Sequence, residues 1–276
     1  MRDLLYALFS VVAWSTNYLV GRFLVANGID PLALSILRFT LATPLLFLLA
    51  KFPPYRGAAG RLALLGLLGV AGFNLLLYSA LAYVTAAVAS LFVVMASPAT
   101  QLLESAVARR RPGGAALLGS LLAVAGAYLI LEPYLAVRSC LGPLLAALAT
   151  LSWAVYTVSV RHVYPLYNPV EASAWISLFG LLAMLPPAPA SRISTLADPT
   201  TFILVAYVAA VPGALAYASW NIAVQKASPR RSAAVLPLMP VLTTLFSYLL
   251  LGEALTPSQF VGMAAAVTGV YVAVRR

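Results

Sequence analysis

Apolar stretches of about twenty residues follow one another along the chain, parted only by short clusters rich in proline, glycine or arginine. A stretch of that length matches the hydrocarbon thickness of a bilayer. A chain built from such stretches in series has little polar surface to offer water, and so folds as helices packed within a membrane. Composition agrees: 63% of the 276 residues are apolar and 9% charged, against about 25% charged in an ordinary soluble domain. Breaks fall at Asn27-Gly28-Ile29-Asp30-Pro31, Pro53-Pro54, Arg109-Arg110-Arg111-Pro112, Glu132-Pro133, Tyr167-Asn168-Pro169, Pro186-Pro187, Ser228-Pro229 and Thr256-Pro257. They predict an all-α polytopic membrane protein with ten transmembrane helices, over 4–25, 31–51, 62–83, 86–107, 113–132, 141–162, 169–188, 201–224, 231–251 and 256–274. The junction near Tyr83-Val84-Thr85 is faint, so nine is the competing count. The opening Met1-Arg2-Asp3 and the apolar run after it have the look of a signal peptide. Apolar character continues past Val25 with no small-residue cleavage site, which predicts a retained first span.

Charge separates ten spans from nine. With ten spans and a cytoplasmic N-terminus, thirteen basic residues fall inside: Arg2, Lys51, Arg56, Arg61, Arg109, Arg110, Arg111, Arg161, Lys226, Arg230, Arg231, Arg275 and Arg276. Only Arg22, Arg138 and Arg192 fall outside, and Arg38 lies within a span. Basic residues resist translocation, so this sorting predicts ten spans with both termini in the cytoplasm. It also accounts for the net charge of +10 without a nucleic-acid partner. The expected partners are the lipid bilayer and a small-molecule substrate, in a cell (plasma) membrane; monomer and dimer both stay open. A single cysteine, Cys140, excludes an intramolecular disulfide and a cysteine-based metal site.

The two halves echo each other. Trp14 lies eight residues before Arg22, as Trp153 does before Arg161, and Pro98 and Pro240 sit near the middles of the fourth and ninth spans. Gly119, Gly126 and Tyr128 are matched by Gly262, Gly269 and Tyr271 at one offset of 143 residues. This predicts two five-helix repeats, residues 1–135 and 136–276. Because five is odd, the second copy runs inverted, a construction recurrent in secondary transporters.

With Ala13-Trp14 and Ser152-Trp153 opening the halves, Pro98, Pro240, and Leu251-Gly252-Glu253-Ala254-Leu255 followed by Gly262 and Gly269, the whole chain resembles the EamA-type members of the drug/metabolite transporter superfamily. Members usually carry a glutamate ending the fourth span of each half. Glu253 fits, whereas the matching first-half position is Arg110, with Glu104 out of register. The resemblance implies a basket of helices around a central cavity, with solute export as the commonest activity and amino acids, other metabolites or cationic drugs as cargo.

Polar groups at mid-depth are costly unless paired or wetted, and so mark candidate cavity residues. Trp14, Asn17 and Tyr18 share one helix face; Tyr217, Trp220 and Asn221 repeat the arrangement, and Asn74 with Tyr78 and Trp153 with Tyr156 add two more faces. Each of these asparagines could instead tie neighbouring helices together. Arg38, near the middle of the second span, has no acidic residue at its depth; it is a candidate carboxylate contact, a gate, or an anchor to backbone carbonyls. Gln101 and Glu104 are candidates for an inner vestibule, with interfacial solvation the expected state of Glu104. Pro98 and Pro240 each free a carbonyl four residues earlier, at Val94 and Leu236, and with Pro212-Gly213 are the candidate hinges. The four matched glycines read as close-packing positions, between the fifth and tenth spans or at a dimer contact.

Catalysis has little to stand on. His162 lies at a helix end, Asp3, Asp30 and Asp198 lie in tails or loops, and no phosphate-binding G-x-x-x-x-G-K-[ST] occurs. No cofactor or metal is expected. These features predict a secondary transporter working by alternating access, exporting amino acids or related metabolites from an aromatic-lined cavity. The alternatives are an exporter of cationic drugs or of sugar-like or nucleoside solutes and, in another class, a non-transporting receptor or scaffold.

Overall fold

The computed structural model describes residues 2–80, 83–186, 198–252 and 254–275. Among these the chain is helical throughout, and the sole bridge between extended residues joins Val84 to Val137. In the first half the helices are α1 (Leu5–Ala26), α2 (Pro31–Leu49), α3 (Ala59–Gly66), α4 (Phe73–Ala80), α5 (Ala86–Val94), α6 (Ala96–Val107) and α7 (Gly114–Leu131). The second half holds α8 (Leu141–Ser159), α9 (Pro169–Met184), α10 (Pro199–Val208), α11 (Ala216–Ala227), α12 (Pro229–Ala233), α13 (Leu238–Leu251) and α14 (Pro257–Arg275). Among the described residues, seven stretches are long and apolar enough to cross a membrane: Ala59–Leu77, Ala87–Val107, Gly114–Tyr134, Leu141–Val163, Pro199–Ala227, Pro229–Leu250 and Pro257–Arg275. Leu5–Gly21, Ala33–Leu49 and Pro169–Met184 are shorter apolar helices.

Local sequence explains the ends. Asn168 accepts from the backbone of Val170 and Glu171 at 3.0 Å each, and Glu171 returns a bond from the Asn168 N–H, with Pro169 at the first turn, where a missing N–H costs nothing. The faint junction is a real break: Tyr83, Val84 and Thr85 are not helical, and Thr85 N–H and Arg138 N–H donate to the Ala136 and Tyr83 carbonyls there.

Two pairs of interruptions fall at matching places. The stretch Ala87–Val107 breaks at Met95, three residues before Pro98; Pro229–Leu250 breaks after Ala233, where bonds to the third residue back replace the α pattern up to Pro240. Between α3 and α4, and between α10 and α11, the helix widens into π segments at Leu67–Gly72 and Ala209–Leu215, whose starts lie 142 residues apart and whose ends lie 143 apart. A π turn shifts the backbone bonds to i→i+5, which opens carbonyls to side-chain donors.

The matched glycines join α7 to α14. A Cβ on Gly119 would lie 2.5 Å from Ala273 N and 2.7 Å from Gly269 O, and one on Gly262 would lie 2.6 Å from Gly126 O. The pairing runs crosswise, Gly119 with Gly269 and Gly126 with Gly262, so the two helices are antiparallel with their backbones in contact. Of the two expected roles, packing between these helices within one molecule is the one the structure displays.

Candidate functional site

Seven aromatic rings from five elements meet, and two of them donate to carbonyls of the two π segments. Trp14 on α1 stands edge-on to Trp153 on α8, 5.5 Å between centroids, and lies 5.3 Å from Trp220 and 6.3 Å from Tyr217 on α11. Trp153 in turn packs on Phe73 (5.2 Å), Tyr156 (5.2 Å), Tyr217 (5.8 Å) and Trp220 (5.8 Å). Phe39, from α2, stands edge-on to Tyr217 at 5.7 Å. Edge-to-face and tilted pairs suit the ring quadrupole, and the cluster fills the centre of the largest buried core.

The widened helices and the rings are built for each other. Trp14 Nε1–H donates to Pro212 O at 3.0 Å, Ser152 Oγ–H to Leu68 O at 2.8 Å, and Tyr217 O–H to Gly69 O. All three acceptors are π-segment carbonyls, and Leu68 O also keeps a backbone bond from Phe73 N–H; in a membrane every such group must be satisfied from within the protein. Gly69 is glycine because a Cβ there would strike the Tyr156 ring.

Beside the rings lies Arg38. Its residue is 8% exposed, its guanidinium rests 4.7 Å from the Phe39 ring centre, and its Cγ would lie 3.4 Å from a Cβ on Gly213. Nη2 donates to Asn74 Oδ1 at 3.4 Å, while Nε is buried without an acceptor. Arg38 forms no ion pair among the described residues.

The other sequence-predicted residues divide. Tyr156 O–H and Tyr164 O–H donate to Asn221 Oδ1 at 3.0 and 3.3 Å, and Asn221 Nδ2 donates to Ser173 Oγ at 2.7 Å, so Asn221 ties α8, α9 and α11 together behind the rings. Asn74 joins Arg38 to Val70 O on its own helix. Asn17 is half-buried on α1 and has no hydrogen-bond partner among the described residues. Gln101 is engaged elsewhere, donating to Ser120 on α7, which also accepts from Ser97. The side chains of Tyr18 and Tyr78 lie outside the described residues, as does Glu253. Pro212 and Gly213 sit in the second π segment; a cavity of about 60 Å³ beside Pro240 is lined by Ser90, Val94, Leu131, Met239, Thr243 and Thr244.

Glu104 corrects an expectation. It is not solvated at the interface but 5% exposed, accepting Arg230 N–H at 2.7 Å and Arg110 Nη2–H at 3.1 Å. The carboxylate caps the first turn of α12 from α6, where a helix N-terminus favours negative charge. Its partners lie six and 126 residues away, and the distant one is a backbone group that no residue pattern announces.

Known proteins share this architecture. The sequence profile of the EamA-like transporter family matches residues 1–132 and 141–275. A protein of Escherichia coli named a "probable amino-acid metabolite efflux pump" is 29% identical over 98% of this chain and 94% of its own. One of Streptantibioticus cattleyicolor, named a "probable terminal-alkyne amino-acid exporter", is 27% identical over 97% and 91%. An uncharacterized transporter of Archaeoglobus fulgidus is 24% identical over 97% and 96%. A protein crystal structure superposes with a TM-score of 0.83 over 99% of this chain and 96% of its own at 21% identity, a likeness of fold.

Proposed function

The chain belongs to the EamA-like transporter family, and from that membership we propose that it exports a small carboxylated metabolite, an amino acid or a related acid, by alternating access. It is a multi-pass transporter of the cell membrane. The observation that carries the proposal is Arg38, a buried cation with one donor unpartnered and, among the described residues, no carboxylate beside it. An ionised group in the membrane interior is expensive and by default functional, and a guanidinium fork fits a carboxylate's two oxygens. The relatives named as amino-acid exporter and amino-acid metabolite efflux pump point to the same cargo class.

In this reading the carboxylate docks on Arg38 and Asn74, while Trp14, Asn17, Trp153, Tyr156, Tyr217 and Trp220 provide the walls once the rings part. Ten spans in two inverted repeats, 1–135 and 136–276 with cytoplasmic termini, fit the seven long and three shorter apolar helices, the crosswise glycine pairs and the paired π segments. Pro98, Pro212, Gly213 and Pro240 sit at or next to these interruptions and serve as hinges about which the repeats rock.

Proteoliposomes loaded with a panel of labelled amino acids and organic acids test this directly. Release of at least one carboxylated solute, faster than from protein-free vesicles, is the expected result. Release confined to cations or neutral sugars would overturn it.

A further inference from the structure

Among the described residues the site is rich in donors and has no anionic partner for a positive charge. Arg38 Nε and Trp220 Nε1, both buried, are donors without acceptors. The π-segment carbonyls that face the rings are already engaged: Leu68 O by Ser152, Gly69 O by Tyr217, Val70 O by Asn74 and Pro212 O by Trp14. The described carboxylates sit at helix ends or in connections, and the buried one, Glu104, is held by Arg110 and Arg230. Thr157, one turn past Trp153, adds an unpartnered hydroxyl, which can accept a bond but cannot neutralise a charge. An α-amino acid brings an ammonium as well as a carboxylate. Burying that ammonium without a counter-charge or a set of free acceptors carries a large desolvation cost.

We infer that the site reads the carboxylate and an apolar or aromatic body but not the amino group, so that its best ligands are monocarboxylates lacking the ammonium. This rests on the carboxylate role of Arg38 proposed above. Arg38 pairs with the anion, an oxygen that outlasts that pairing accepts from a buried N–H, and the ring cluster receives the side chain. An amino acid uses the same contacts, and its ammonium gives up hydration for no counter-charge among the described residues, met only by the neutral oxygens of Asn17 and Thr157 and by ring faces.

Three ligands of one shape separate the possibilities: 3-phenylpropanoate carries the carboxylate alone, phenylalanine both groups, and 2-phenylethylamine the amine alone. Their binding to the purified full-length wild-type chain is measured by ligand-dependent thermal shift, since a ligand stabilises the state it binds. The expected order is 3-phenylpropanoate first, by about tenfold over phenylalanine, with the amine weakest. Phenylalanine binding as tightly as 3-phenylpropanoate, or more tightly, overturns this inference and leaves the carboxylate role of Arg38 in place. Failure of both acids to bind, or amine binding as tight as theirs, overturns both. No variant is needed, so misfolding cannot imitate any of these outcomes.

Discussion

The seam between α7 and α14 and the ring cluster between α1, α8 and α11 are both tightly buried, yet they are held by opposite means. At the seam, glycines let two backbones touch, and there is no room for one methyl group. At the cluster, large rings meet at tilted or perpendicular angles, and the helices behind them are widened by π turns. A backbone contact has one arrangement, because any slide drives carbonyls into neighbouring amides. Rings on χ angles, attached to helices with interrupted ladders, have several. In the alternating-access cycle proposed above, the seam is then the fixed axis and the cluster the part that opens.

Cross-linking breaks or sharpens that contrast most strongly. In a Cys140→Ser background, Ala123→Cys with Ala266→Cys places a pair at the α7–α14 crossing, and Ser10→Cys with Ala216→Cys joins α1 to α11, where Ser10 Oγ–H now donates to Ala216 O at 2.8 Å. Oxidation should leave solute release intact in the first and stop it in the second; the reverse pattern would exchange the two roles. Next in size, Gly126→Leu at the seam should lower stability by about 3 kcal/mol or more, read as a loss of melting temperature in detergent. Gly60→Ala, where a Cβ meets nothing within 4 Å, is its neutral control. Trp14→Phe keeps a ring in the cluster but removes the donor to Pro212 O, and should cost about 1–2 kcal/mol. Equal stability of this variant and the wild type would mean that the π carbonyl does not depend on the indole.

The smallest effect lies outside both regions. Asp198 caps α10 by accepting Thr201 N–H at 2.7 Å, which holds its carboxyl below the ordinary value of 3.8. Its stabilisation is therefore full above that ordinary value and lost as the pH falls through the lowered one. Asp198→Asn should flatten the acid limb of the melting curve slightly, and a steeper limb would contradict the capping role.

Much of the fold was legible because the membrane writes it into the sequence. The prolines at 31, 169, 199, 229 and 257 begin helices as residues without an N–H should, and the glycines matched between the halves are close-packing positions, although they pair crosswise, Gly119 with Gly269 and Gly126 with Gly262. The aromatic faces were readable from spacings of three and four residues; that Trp14, Trp153, Tyr217 and Trp220 converge was not, since convergence depends on helix packing. The π segments were not legible in the sequence either. Their wider turn has no residue signature beyond Pro212 and scattered glycines, and becomes visible only as carbonyls taken by side chains. Arg38 stood out as a lone intramembrane charge, but its contact with Asn74 joins α2 to α4 and had to come from the structure. Glu104 misled for the same reason: sequence places it near a helix end, while the group that buries it comes from the other half of the chain.

The most direct measurement is release of a labelled carboxylated solute from proteoliposomes by the wild type, Arg38→Lys and Arg38→Gln, at matched protein density and with unchanged melting temperatures as a check on folding. The account predicts a loss of about a hundredfold or more for Arg38→Gln, because removing one partner of a buried charge pair is strongly unfavourable. Arg38→Lys should be intermediate, since it keeps the charge and loses the fork. Release by a folded Arg38→Gln at the wild-type rate would contradict the claim that this guanidinium holds the cargo.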